Sequence, residues 1–176
     1  AAQAGAGAQV LQVFDSWAGA LSPADYRQYV LPHTQRLIAS LPADVPVINF
    51  LTGNPSLLPM QVEAGGQVIG VDWRVDLSEA RRLAGPRRAV QGNLDPISLY
   101  CELPVLRQRT QAVLDAAGPA PGHIFNLGHG VTPDVPHEHV KAVVRMVQAA
   151  VERSRAANNP RVDLEPPRRF RERPDR

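Results

Sequence analysis

The stretch Pro46-Val-Ile-Asn-Phe-Leu51, followed by Asn54-Pro-Ser-Leu-Leu-Pro-Met60 and Val68-Ile-Gly-Val-Asp-Trp73, decides how the chain folds. Its first and last pieces are short, rich in Val, Ile, Leu and Phe, and bounded by Gly, Pro, Asn or Asp. Runs of that kind read as buried parallel strands, which need apolar residues on both faces. The middle piece reads as the opening of a short helix. Together they make one strand–helix–strand unit.

Outward from this unit the pattern continues. Gln9-Val-Leu-Gln-Val-Phe14 precedes it; Ala89-Val-Gln-Gly-Asn-Leu94 and His123-Ile-Phe-Asn-Leu127 follow. Helix signatures lie between them. Ser22-Pro-Ala-Asp25 offers an N-cap, a Pro at the first helical position and an acid in the first turn, leading into Tyr26, Val30 and Leu37. Pro32 predicts a kink or break there. Ser78–Leu83, Pro104–Ala117 and Pro136–Arg155 complete the set, the last with an apolar stripe at Val140, Val143, Val144, Val147 and Val151. No internal repeat appears beyond this alternation.

Five strand–helix alternations in about 150 residues imply βα units and a parallel sheet. Two architectures compete. A doubly wound sheet usually carries a Gly-rich phosphate loop after its first strand, but here that strand ends in Phe14-Asp-Ser-Trp-Ala-Gly19. A (β/α)8 barrel needs about 250 residues, so this chain can supply only part of one.

Composition narrows the function classes. The chain has 176 residues, 44% apolar and 20% charged, with a net charge of +2, which suits a globular core. The basic groups are unevenly placed. Residues 1–152 hold 11 basic and 13 acidic side chains, whereas 153–176 hold 8 Arg and 4 acids. The Arg- and Pro-rich segment 153–176 therefore reads as a solvated, disordered tail after a folded region 1–152, and a nucleic-acid partner is not expected. The longest apolar runs fall far short of the roughly 20 residues of a membrane helix, so no membrane partner is expected. Ala1–Ala8 lacks the character of a signal peptide and reads as the end of a helix and a turn. One cysteine, Cys101, points to a reducing, cytoplasmic setting.

Polar residues collect where strands end: Asp15 and Ser16, Asp72 and Trp73, Asn93 and Asp95, Asn126 and His129. That edge is where α/β sheets and barrels bind ligands. Ser16 has no neighbouring base and no Gly-x-Ser-x-Gly spacing, so it reads as a hydrogen-bond donor to a ligand or to its own turn, not as a nucleophile. In Gln91-Gly-Asn-Leu-Asp-Pro96, Gly92 reads as a close-approach residue and Asp95 as an N-cap, both structural along with Asn93. His129 stands between two glycines, which suggests a sharp turn and an exposed imidazole able to bind a carboxylate, ligate a metal or move a proton. His123, His137 and His139 invite a metal reading with it, yet 137 and 139 point different ways from a helix start. No metal site is therefore expected, and His33 reads as a surface or packing residue.

At these residues the chain resembles the uroporphyrinogen decarboxylase family. The resemblance rests on Phe14-Asp-Ser-Trp-Ala-Gly19, Leu21-Ser-Pro23 with Tyr26, Gly70-Val-Asp-Trp73, Val90-Gln-Gly-Asn-Leu-Asp-Pro96 and Gly122-His-Ile-Phe-Asn-Leu-Gly-His-Gly130, and spans about Gly5 to Ala150. It implies a single (β/α)8 TIM barrel, of which this chain supplies the last five βα units. It implies stepwise loss of four acetate carboxyl groups from uroporphyrinogen III, giving coproporphyrinogen III in haem biosynthesis, with no cofactor, in a homodimer. Ser16 and His129 match family substrate-binding positions. The family's catalytic aspartate, its Arg-rich N-terminal segment and a substrate-binding tyrosine have no counterpart here, so this chain alone is expected to be inactive. Two other readings stay open: a cobalamin- or zinc-dependent methyltransferase on a related barrel, and a non-catalytic half-barrel module.

Overall fold

A computed structural model describes residues 2–158. After a short helix α1 (Ala2–Gly5) the chain runs β1 (Leu11–Asp15), α2 (Pro23–Asp25), α3 (Leu31–Ala39), β2 (Val47–Leu51), α4 (Leu58–Ala64), β3 (Val68–Val71), α5 (Leu77–Ala84), β4 (Ala89–Leu94), α6 (Leu103–Ala117), β5 (His123–Leu127) and α7 (His137–Asn158). Helix α7 continues past residue 152, where the tail is expected to start; the rest of that tail lies outside the described residues.

The five strands pair in parallel in the order β1-β2-β3-β4-β5. A doubly wound sheet reverses its strand order part-way and carries helices on both faces. Here the order never reverses, and the helices share one face. Leu51, Ile69, Val71, Val90 and Leu94 point toward them and join Leu31, Leu58, Leu77, Leu106 and Val143 in three contiguous apolar clusters. The register aligns Phe14, Phe50, Gly70, Gln91 and Ile124 in a row on the opposite face. That face is concave. Gln91 Nε2 comes within 3.5 Å of Gln12 Oε1, although β2 and β3 lie between their strands. At about 4.8 Å per strand spacing a flat sheet would hold those backbones some 14 Å apart. The architecture is a run of consecutive βα units from a (β/α) barrel.

Local chemistry places the elements. Ser22 accepts the Asp25 N–H as the N-cap of α2, as its sequence predicts. Pro32 is accommodated by a π-helical turn, Tyr26–Val30, between α2 and α3, so the expected break appears as a widened turn. Helix α5 starts one residue earlier than Ser78, because Asp76 accepts the Ser78 and Glu79 N–H groups. Asp95 caps the 3-10 turn Pro96–Tyr100 through the Ile97 N–H.

Strands β2 and β3 are buried throughout, and polar side chains knit them to α4. Gln61 Nε2 donates to the Asn49 and Gly70 carbonyls at 2.8 and 2.7 Å, and Asn49 Nδ2 donates to the Gln61 and Gly65 carbonyls. Both side chains are almost fully buried, where an unmade hydrogen bond is expensive. Replacing Gln61 by Leu, of similar size, removes both donated bonds and should lower stability by about 1–3 kcal/mol. Urea unfolding of the two proteins checks this through a lower midpoint at unchanged slope.

Candidate functional site

The strand ends open onto a cleft of about 280 Å³ on the concave face, lined by Gln12, Phe14, Ser16, Phe50, Gln91, Asn126, Leu127, His129 and Gly130. Ser16 and His129, far apart in sequence, thus border one space. Its floor is aromatic and amide: Phe14 packs edge-on to Phe50 with ring centroids 6.0 Å apart, and Gln12 faces Gln91.

Ser16 is exposed, and its neighbours already satisfy the turn that follows β1. Asp15 Oδ1 accepts the Ala18 N–H at 2.9 Å, and the Ser16 carbonyl accepts the Thr52 hydroxyl at 3.2 Å. Among the described residues the Ser16 hydroxyl has no hydrogen-bond partner, which leaves it available to a ligand.

The chain bends at Gly128 and His129, as the flanking glycines suggest. Neither flanking glycine has a positive φ. Gly128 is instead a close-approach residue: a Cβ there would sit 2.7 Å from Trp73 N and 3.0 Å from Asp72 Cα, too near for any side chain. Its N–H donates to the Leu94 carbonyl at 2.8 Å. Gly130 faces open space. The loop is pressed down at Gly128 and released at once, so the His129 imidazole stands exposed beside the cleft with no partner among the described residues.

The other strand-end polar residues build the frame. Asp72 is buried; its Oδ2 accepts the Gly53 N–H at 2.9 Å and Arg74 Nη1 at 2.6 Å, while Oδ1 accepts the Arg74 N–H. The Arg74 guanidinium lies 4.2 Å over the Trp73 ring. Asn93 Nδ2 donates to the Asp72 and Val75 carbonyls at 3.0 and 2.7 Å, the structural role expected of it. Gly92 has φ +139, and a Cβ there would meet the Val71 carbonyl at 2.5 Å, again as expected.

The histidines do not converge. His123 Nε2 donates to the Gly92 carbonyl at 2.8 Å, His137 meets Glu138, His139 Nδ1 donates to the Leu99 carbonyl at 2.7 Å, and exposed His33 accepts from Arg36. Among the described residues no group of three His, Cys, Asp or Glu side chains is placed to hold a metal ion, and no helix is long and apolar enough to cross a membrane. Sequence reasoning missed Gln12 and Gln91. Their signal was present: each is an amide set within a strand, on the face that carries no helix.

Three comparisons bear on this cleft. The profile described as uroporphyrinogen decarboxylase (URO-D) matches residues 1–150. Proteins named uroporphyrinogen decarboxylase from Trichlorobacter lovleyi, Pelobacter propionicus and Thermus thermophilus are 49%, 53% and 55% identical over 86%, 84% and 84% of this chain. The chain spans less than half the length of these relatives, 45%, 44% and 43% respectively. Among solved structures, a methyltransferase from Methanosarcina mazei superimposes with a TM-score of 0.74 at 21% identity, over 85% of this chain and 44% of that one, which shows a shared fold.

His123 gives the frame a pH dependence. Burial pushes its imidazole below the ordinary value of 6.5; the hydrogen bond to Gly92 opposes this, and Arg81 adds to it. The unfolded chain takes up that proton at higher pH than the folded chain does, so stability falls as pH drops below the ordinary imidazole value. His123→Gln keeps a donor for the Gly92 carbonyl and removes the titration. Unfolding midpoints at about pH 7 and about pH 5 should differ less in this variant than in the parent.

Proposed function

We propose, since the chain belongs to the uroporphyrinogen decarboxylase family, that it forms the C-terminal part of an enzyme removing the four acetate carboxyl groups of uroporphyrinogen as CO2. The product is coproporphyrinogen. The observation that carries this reading is the meeting of Ser16 and His129 on one cleft at the carboxyl edge of the sheet.

The reaction needs no cofactor because the substrate supplies its own electron sink. Protonation of a pyrrole carbon makes an iminium. The bond from the acetate methylene to its carboxylate then breaks, CO2 leaves, and the released electron pair flows to the iminium. A second proton converts the methylene into a methyl group, and loss of the first proton from the ring carbon restores the pyrrole. An enzyme for this chemistry has to hold a polyanion, stabilise a cationic pyrrole and deliver protons. This chain's residues suit the first task. The Ser16 hydroxyl and the His129 imidazole are exposed donors, without partners among the described residues, for propionate or acetate oxygens, and Phe14 and Phe50 offer an apolar floor to the pyrrole rings of the macrocycle. The surrounding enzyme works in the cytoplasm as a homodimer, with uroporphyrinogen as its small-molecule partner.

A protein of the relatives' length that contains this chain should convert uroporphyrinogen to coproporphyrinogen with release of CO2, whereas the 176-residue chain alone should show no turnover. In the longer protein, His129→Ala removes a hydrogen bond to a charged group, worth about 1.5–3 kcal/mol, and should raise KM by about 10- to 100-fold. Ser16→Ala should raise it by roughly 5-fold, from about 1 kcal/mol. A longer protein that releases no CO2 overturns the reading.

A further inference from the structure

The loop between β5 and α7 carries His129, and its two ends are held in different ways. At its start Gly128 is packed on Trp73 and bonded to Leu94. Further along, Thr132 Oγ1 and Asp134 Oδ1 each lie 2.5 Å from the Tyr100 hydroxyl. A phenol has one proton to give. Carboxylate Asp134 takes it, so Thr132 donates its own proton to the phenol oxygen. This contact holds the Asp134 carboxyl below its ordinary range and raises the Tyr100 phenol.

Tyr100 is itself on firm ground. It ends the 3-10 turn Pro96–Tyr100, whose Ser98 and Leu99 are fully buried, Leu99 in the cluster with Leu94, Leu106 and Val143. The Leu99 carbonyl also accepts His139 Nδ1–H, tying the same turn to the first turn of α7. Between the Gly128 and Tyr100 anchors, His129, Gly130 and Val131 are all exposed, and among the described residues nothing restrains the His129 ring. The position of that ring therefore depends on the anchors alone.

We propose that Tyr100 is a positioning residue for His129, its hydroxyl clamping Thr132 and Asp134 so that the intervening loop holds the imidazole at the cleft. The inference rests on the proposed carboxylate-binding role of His129. A ligand-binding side chain on an untethered loop loses affinity because binding must then order the loop. Loss of the clamp should thus raise KM far more than it lowers kcat.

The test uses the enzyme-length protein. Tyr100→Phe keeps the ring and should raise KM by about 10-fold with kcat within about 2-fold, and Asp134→Ala should match it. Asp134→Asn still accepts the phenol proton and should stay within about 2-fold of the parent KM. Unchanged KM in Tyr100→Phe and Asp134→Ala, or equal losses in Asp134→Ala and Asp134→Asn, overturns the proposal. A second measurement does not depend on turnover. Backbone order parameters of residues 129–131 in the 176-residue chain should fall in Tyr100→Phe from about 0.85 toward 0.6 or below. Unchanged values overturn the clamp. An unsubstituted enzyme without turnover would sink the decarboxylase reading instead, and the order parameters would still decide the clamp.

Discussion

The mouth of this half of a barrel is organised by one buried carboxylate, Asp72. Its side chain fixes Gly53 after β2, its own strand-end loop through Arg74, and its carbonyl receives Asn93 from β4. Gly128, after β5, is packed directly on its Cα. Four successive strand ends are therefore referred to a single residue. Burying a charge is costly unless it is fully hydrogen-bonded. Asp72 meets that condition with two backbone N–H groups and a guanidinium. The same condition makes the loops after β2 and β3 rigid, because movement of either would leave the carboxylate short of a donor.

Rigidity at Asp72 is what allows exposure elsewhere. Ser16 and His129 project from loops, and Asn126 from the end of β5, on backbone that other residues hold. None of these three side chains is needed to hold another element in place; Asn126 Oδ1 accepts only the adjacent Leu127 N–H, and the Ser16 hydroxyl and His129 ring have no partner among the described residues. The division extends to the sheet. One face carries the aliphatic residues that bury α3 through α7; the other carries Gln12, Phe14, Phe50 and Gln91 with no helix upon them. Phe14 on β1 is 68% exposed and Ile124 on β5 is 42% exposed, and these are the two edge strands. Large apolar side chains left exposed on both edge strands fit a chain spanning less than half the length of its relatives.

Much of this was readable in one dimension. The five apolar runs became the five strands with ends shifted by no more than two residues, because buried parallel strands need uninterrupted apolar sequence. The caps at Ser22 and Asp95 and the close approach at Gly92 follow from local chemistry, which sequence displays directly. The Pro32 break was visible, but its form as a π-helical turn was not, since either geometry would relieve the clash. Tyr100 could not be singled out. It lies in a 3-10 turn and meets Thr132 and Asp134 only through the fold, and an isolated aromatic in a turn carries no pattern.

The sequence by itself determined the element order, the parallel sheet, the family and the two residues, Ser16 and His129, worth following. Local propensity and the apolar period are short-range properties, and the family motifs are short strings. Tertiary structure alone decided that the two share a cleft, that Gly128 is small because Asp72 and Trp73 lie against it, and that Gln12 reaches Gln91. Each of those facts depends on sheet curvature and strand register, which bring distant residues together and leave no local trace in the chain.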